Sequence, residues 1–204
     1  KENPSVAVGY ARQVPFDDAS IEEKFTRFFN YPEESREKKL TDVRELGIKT
    51  YFNSNVCSMY RMDLWTKFGG FDAPAIFNED MVYASKIIKG GFSVYYAADA
   101  KVFHSHNYNA KKQFSRNFDL GVSQKKHPEV FDSSVSSSKE GIRYVRIILS
   151  ELWKRDEKRY IPRFIYRCFA RWCGYQMGKH YELLPISWVV KISNNKNYWE
   201  KQKS

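Results

Sequence analysis

Two adjacent carboxylates, Glu79 and Asp80, and two histidines one residue apart, His104 and His106, are the side chains whose types and spacing could do chemistry. The acid pair follows Gly69-Gly70-Phe71-Asp72, where two glycines permit a tight turn, and a short apolar run ending in Asn78. Asn78 can cap a helix, because its side chain can accept from backbone N–H groups two or three residues on. Met81, Ala84, Ile87 and Ile88 recur at helical spacing, and Gly90-Gly91 supplies a stop. Glu79 and Asp80 therefore fall in the first turn of a helix whose apolar face is committed to a core. The electropositive helix end is expected to hold a carboxylate there ionised and aimed, as a general base requires. Acids in a first turn are also ordinary dipole partners, so the pair alone defines no site.

The histidines lie in an extended piece, Lys101 to His106, after a strand Phe92-Ser93-Val94-Tyr95-Tyr96. A period of two puts Val102, His104 and His106 on one face. Two imidazoles so placed can serve one divalent metal, although such pairs are also common as surface or core residues. His127 and His180 are isolated, so a self-contained zinc site is not expected. The pair fits a partial ligand set, completed by a carboxylate or phosphate. Mn²⁺ or Mg²⁺ at a diphosphate would suit, Mn²⁺ better, because imidazole is a poor Mg²⁺ ligand.

The elements that must position these groups begin with Val6 to Ala11, a buried strand. Arg12 and Gln13 stand at its end, where open α/β sheets carry binding groups. Ser20-Ile21-Glu22-Glu23 has the form of a capping box and opens a helix presenting Ile21, Phe25 and Phe28 or Phe29, interrupted at Pro32. A charged segment runs from Glu33 to Leu46, with Leu40 and Val43 inward and Gly47 as its stop. Ile48 to Val56 reads as a strand ending in Ser54-Asn55. A short helix with Asp63 as cap and Leu64, Trp65 and Phe68 inward closes on Gly69. Phe114, Phe118 and Val122 mark another helix, stopped near Pro128.

Asp132 to Lys139 is polar and Ser-rich, a linker. Beyond it the pattern is helical only. Ile142, Val145, Leu149 and Leu152 form one apolar stripe; Ile161, Phe164, Ile165, Cys168, Phe169 and Trp172 form another. The net charge of +10 over 204 residues is concentrated here: residues 139–204 carry 15 Lys+Arg against 6 Asp+Glu, residues 1–138 only 19 against 18. An anionic partner is therefore to be sought in the last third, and basic helices with Trp153, Trp172 and Trp188 suit the surface of an anionic membrane. No RNP-type, helix-turn-helix or zinc-finger signature supports a nucleic-acid-binding module, the non-enzymatic alternative. Three cysteines without a CxxC pair fit a reducing, cytoplasmic setting, and no apolar run reaches the roughly 20 residues of a membrane span.

Gly69-Gly70-Phe71-Asp72, Glu79-Asp80, and the tail Asp99-Ala100-Lys101-Val102-Phe103-His104 together resemble the second half of family 2 inverting glycosyltransferases of the GT-A fold. Arg12-Gln13, Phe29-Asn30-Tyr31-Pro32, Ser54-Asn55-Val56-Cys57, Phe77 to Met81 and His104 to Tyr108 are similar to bacterial rhamnosyltransferases of cell-surface polysaccharide synthesis. The resemblance implies an α/β fold: an acceptor-side half of a Rossmann-like domain over 1–131, a linker at 132–139 and a basic helical extension at 140–204. It implies Asp80 as catalytic base with Glu79 beside it, and His104, with His106 less directly, at the metal on the donor diphosphate. Asn55, Arg12, Gln13, Gln113 and Arg116 fall where substrate-binding groups belong; Asn117 replaces the Trp of a Gln-x-x-Arg-Trp element. The implied donor is dTDP-L-rhamnose, the acceptor a glycan or lipid-linked saccharide, and the place the cytoplasm, peripherally at the inner membrane face. A metal-dependent hydrolase using Asp80, His104 and His106 is the enzymatic alternative. The family's nucleotide-binding half and its Asp-x-Asp motif have no counterpart in these residues. The expectation is a C-terminal fragment, inactive alone.

Overall fold

The computed structural model describes residues 3–131 and 137–201, which form two units. One comprises 3–72, 79–107 and 137–140; the other comprises 73–78, 108–131 and 141–201.

In the first unit the central strand is β1 (Val6–Val14). Ala7, Val8, Tyr10, Ala11, Arg12 and Gln13 are all buried, as in a strand covered on both faces. It pairs in parallel with β4 (Ser93–Phe103) and antiparallel with β3 (Ser58–Tyr60), while β2 (Arg36–Lys38) adds antiparallel to β4; the order is β2-β4-β1-β3. Sequence spacing implied two extended pieces around Asp99. The structure has one strand, and the interruption survives as a bulge: the pairing Ala11 to Ala97 is followed by Arg12 to Lys101. His104 continues the ladder by one bond, its N–H donating to Val14 O at 2.9 Å.

The connection from β1 to β4 carries α1 (Ile21–Asn30), α2 (Val43–Leu46), α3 (Met62–Phe68) and α4 (Glu79–Lys89). Half of the expected capping box forms at α1. Ser20 Oγ accepts from Glu23 N (3.3 Å), but Ser20 N donates to Asn107 Oδ1 (2.8 Å) and the Glu23 carboxylate turns inward.

Two local readings are corrected here. The segment 33–46 is a strand, a 3₁₀ turn and one turn of helix, with Leu40 exposed. The segment 48–56 is a 3₁₀ turn, Gly47–Tyr51, followed by loop; the strand begins only at Ser58. One buried cation holds the second of these segments against β2. The Lys38 ammonium donates to Tyr10 Oη (3.1 Å), Lys49 O (3.2 Å) and Phe52 O, and lies 4.8 Å from the Tyr10 ring centroid. Lys49 O accepts from Phe52 N (3.2 Å) as well, so the 3₁₀ turn and the ammonium share that carbonyl and Lys49 to Phe52 wraps around the Lys38 head. Burial pushes its pKa down to about 7, with the neighbouring charge of Arg36 acting in the same direction. Lys38→Ala leaves three acceptors without this donor and is expected to cost about 2–4 kcal/mol in denaturant unfolding.

The second unit is built on α5 (Ala110–Lys126) and α7 (Ile161–Lys179). Three glycines let their backbones touch: a Cβ on Gly121, Gly174 or Gly178 would lie 2.4 Å from Tyr175 O, 2.2 Å from Phe114 O or 2.1 Å from Phe118 O. Phe118 and Val122 of α5 form a core with Ile76, Val189, Tyr198 and Trp199. Helices α8 (Ile186–Ile192) and α9 (Lys196–Glu200) are tied to α5 by buried Asp119, which accepts from Ser193 Oγ (2.6 Å), Asn194 N (2.9 Å) and Asn195 N (3.2 Å). Burial raises the Asp119 pKa to about 6 against those bonds.

Helix α5 and residues 73–78 thus group with the C-terminal helices, although the composition break lies at 132. Of the 132–139 linker, residues 132–136 lie outside the described residues; α6 (Ser137–Lys154) begins at its end. The apolar stripes are also corrected. On α6 the buried positions are Ile148 and Leu152, with Ile142 exposed; on α7 Phe164 is buried, while Ile165, Phe169 and Trp172 face outward. The glycine face of α7 makes the contact, because only it admits a second backbone. Among the described residues no helix is long and apolar enough to cross a membrane.

Candidate functional site

Gly69 and Gly70 adopt φ of 76° and 59°, and a Cβ on Gly70 would sit 2.6 Å from the Trp65 ring, so this turn requires glycine. The close pass seats Trp65 against Phe71 and Tyr83, with ring centroids 4.6 and 4.9 Å away, and Tyr60 joins them at 5.2 Å from Trp65. Helix α4 buries Val82, Tyr83, Ala84, Ile87 and Ile88 and begins at Glu79, so the acid pair stands in its first turn as the spacing implied. Asn78 does not have the extended backbone of an N-cap. It is left-handed, φ 61°, a conformation Asn tolerates, and its buried Nδ2 has no partner among the described residues.

Asn55 holds both carboxylates. Its backbone N–H donates to Asp80 Oδ2 (3.3 Å) and its Nδ2 to Glu79 Oε1 (3.1 Å). Tyr60 Oη donates to Asn55 Oδ1, which fixes the amide with its NH₂ toward Glu79, and Asn53 Nδ2 donates in turn to Tyr60 Oη (3.0 Å). Asp80 Oδ1 also accepts from Met81 N (2.8 Å).

The charge state of Asp80 departs from the expectation drawn from the helix end. Its pKa is raised to about 6, first by burial and then by the Glu79 charge, against the Met81 and Asn55 N–H groups. Desolvation acts on the whole carboxylate, while the dipole of one helix end is a modest local effect. The Tyr60 phenol is pushed up to about 12, by burial first, with Asp80 and Glu79 contributing. Burial also raises Tyr31, partly offset by Ser54 and Arg27, and Asp80 adds to the rise. Asp80 is therefore a carboxylate poised to take up a proton near neutrality, within the field of two phenols that remain protonated.

From Asn55 the polar contacts run inward. Gln13 Nε2 donates to Ser54 Oγ (2.5 Å), Arg27 donates to Gln13 Oε1 and pairs with Glu23 (2.6 Å), and His106 N donates to Glu23 Oε1 (3.1 Å). Gln13 is buried in this chain of contacts, which connects the acid pair to the segment holding both histidines. The His104 and His106 rings meet edge to face, centroids 4.4 Å apart. Among the described residues no three His, Cys, Asp or Glu side chains come together as a metal site, so these imidazoles fit at most part of a ligand set.

Arg12, one residue from Gln13 on β1, is buried and paired with Glu33 at 2.9 Å rather than joined to the acid pair. Gln113 and Arg116 belong to the second unit. Gln113 Oε1 accepts from Arg171 Nε (3.2 Å), and the Arg116 guanidinium lies over the Phe77 and Tyr108 rings at 5.2 and 5.0 Å. Sequence reasoning missed Tyr60, Asn53, Tyr31 and Arg27. No spacing in the sequence pointed to them, since each is placed by packing: Glu22 and Glu23 prove buried, and Glu23 takes Arg27 as its partner.

The first unit is thus an α/β fold in which a desolvated acid pair, bridged by Asn55, opens helix α4, an arrangement suited to proton transfer. Over 197 residues, 97% of this chain, it is 38% identical to the O-antigen chain rhamnosyltransferase RfbN of Salmonella typhimurium. Over 195 residues it is 37% identical to the O-antigen chain rhamnosyltransferase WbaN of Salmonella anatum. The chain spans 62% of the length of each of these relatives. No protein-family model and no solved structure matches it.

Proposed function

We propose that this chain is the acceptor-side half of a GT-A, family 2 glycosyltransferase that transfers L-rhamnose from dTDP-L-rhamnose to a growing surface glycan with inversion. The observation that carries the reading is Asp80: partly exposed, held by two backbone N–H groups, and poised near pH 6 beside a second carboxylate. Asp80 takes the proton of the acceptor hydroxyl as that oxygen attacks the anomeric carbon. The bond from that carbon to the diphosphate breaks, and dTDP leaves with the electron pair. Glu79 keeps Asp80 basic by its charge, and Asn55 fixes the distance between them. Similarity to O-antigen rhamnosyltransferases supports the sugar and the class of acceptor.

The family resemblance, rather than their contacts, offers Arg116 as a phosphate ligand and Gln113 as a substrate-binding group. Mn²⁺ or Mg²⁺ would offset charge on the diphosphate, with His104 and His106 as nitrogen donors; two imidazoles do not close a metal site, so no step is assigned to it. A nucleotide-sugar donor and three free cysteines accord with a cytoplasmic location.

The test is transfer of labelled rhamnose from dTDP-L-rhamnose to an O-antigen acceptor. It is measured on this chain and on a polypeptide of the relatives' full length that contains it. Anomer-inverted product and dTDP release that vanish in Asp80→Asn support the reading. Undiminished transfer by that variant refutes the base, and hydrolysis without an acceptor favours a hydrolase.

A further inference from the structure

Glu79 and Asp80 are neighbours in sequence, which is not enough to bring their carboxylates together. Successive side chains on a helix point about 100° apart, and two anions repel each other. What gathers them is a single residue outside the helix. Asn55 donates its backbone N–H to Asp80 Oδ2 (3.3 Å) and its Nδ2 to Glu79 Oε1 (3.1 Å). That clamp has a direction, because an amide turned end for end would set Oδ1 against the Glu79 carboxylate, acceptor against acceptor. The orientation is decided from the far side, where Tyr60 Oη donates to Asn55 Oδ1. The phenol has one proton to give, and Asn53 Nδ2 already donates to the same oxygen (3.0 Å). Asn53 is fixed in turn by Ser58 Oγ, which donates to its Oδ1 (3.2 Å). Ser58, Asn53, Tyr60, Asn55 and Glu79 thus form one series of hydrogen bonds, each donor pointing toward the acid pair.

Tyr60 is held rigidly in that place. It ends strand β3, in register with Val8 of β1, and its ring packs edge-on against Trp65, Phe71 and Tyr83, with centroids 5.2, 5.6 and 5.7 Å away. Burial pushes the phenol up to about 12, so its proton is present throughout the neutral range. Asn55, by contrast, lies exposed in the loop before β3, where hydrogen bonds rather than packing must hold its amide. We propose that Tyr60 is a positioning residue of the acid pair: acting through the Asn55 amide, its phenol proton keeps the Glu79 carboxylate beside Asp80. Its part in transfer rests on the sugar-transfer reading. Among the described residues, the titratable groups facing Asp80 are Glu79, Tyr60 and Tyr31. Both phenols are uncharged at neutral pH, so Glu79 is the charge that Tyr60 can bring to bear.

The test is a ¹³C NMR titration of the Asp80 carboxyl carbon, identified by its loss in Asp80→Asn, between about pH 4 and 8. Its midpoint in the unsubstituted chain should lie near 6. Tyr60→Phe keeps the ring among its aromatic neighbours and removes only the hydroxyl. Glu79 then swings toward water, and Asp80 should bind its proton about 3- to 10-fold less tightly. The midpoint should fall but stay above 3.8, because burial is untouched. Asn55→Ala, an exposed position that keeps its backbone N–H, should give the same fall, and the double variant no more than either single one. A midpoint unmoved by Tyr60→Phe or by Asn55→Ala overturns the proposal. So do shifts that add in the double variant, since Tyr60 would then reach Asp80 by another route. The titration needs no sugar, so its result is separate from the transfer reading. Equal, non-additive shifts uphold the positioning even where Asp80→Asn leaves transfer by the full-length polypeptide undiminished. Where transfer does depend on Asp80, its pH midpoint should fall in Tyr60→Phe by the same amount.

Discussion

At pH 8 the Asp80→Asn chain should melt several degrees above the unsubstituted chain, and under the proposed function the same change in a polypeptide of the relatives' full length should remove sugar transfer. Both effects come from one desolvated carboxylate. The native pKa of about 6 stands above the ordinary value of 3.8, so the native state binds this proton more tightly than the unfolded chain does. The stabilisation from the protonated form is complete below about pH 4 and is lost as pH rises through 6. At pH 8 the ionised group costs on the order of 3 kcal/mol, an upper bound for a partly exposed side chain. An amide accepts from Asn55 N and Met81 N without carrying that charge. The melting difference should be about 5 °C at pH 8 and close as pH falls to 4. A difference of the same size at both pH values would show that burial of this charge is not its cause. Activity runs the other way. An amide cannot take the acceptor's proton, and transfer should fall by about 10²–10⁴. Under the proposed function, transfer by the unsubstituted full-length polypeptide should rise with pH around a midpoint near 6, as Asp80 ionises. Gain of stability with loss of function is the behaviour of a residue kept for chemistry.

The place of this acid pair was legible because it is local: two glycines, a turn and a helical apolar period fix which residues begin α4. Its protonation was not, because burial and the Glu79 charge arise from how the helix is seated, and no residue spacing encodes them. The same division runs through the fold. Helix α1 and strand β1 follow from caps and apolar runs. The turn at 47–51 does not, since it wraps around the ammonium of Lys38, nine residues earlier, a contact that no local pattern encodes. Helix α7 shows the limit of periodicity most directly. The pattern identifies an apolar stripe, but not whether protein covers it, and here the covered side is marked by glycine.

That glycine face gives the largest expected effect on stability. Gly178→Ala would place a methyl 2.1 Å from Phe118 O and 3.0 Å from Gly121 Cα, both backbone atoms that no rotamer change can move. Helices α5 and α7 must separate, loosening Phe118, Val122 and Phe164, each buried in this unit. Alanine is the better helix former by about 1 kcal/mol, which acts in the opposite direction. Overpacking against a rigid neighbour costs more, about 3–5 kcal/mol in sum, and Gly174→Ala, whose methyl would meet Phe114 O at 2.2 Å, should behave alike. Gly141→Ala separates the two effects. That glycine lies inside α6 with nothing within 4 Å of an added Cβ, so only propensity acts. It should stabilise by about 0.5–1 kcal/mol. Denaturant unfolding followed at 222 nm reads all three: midpoints lowered for positions 174 and 178 and raised for 141 identify backbone contact as the bond between α5 and α7. Equal, small shifts at all three would mean that the helices are held apart and joined by side chains instead.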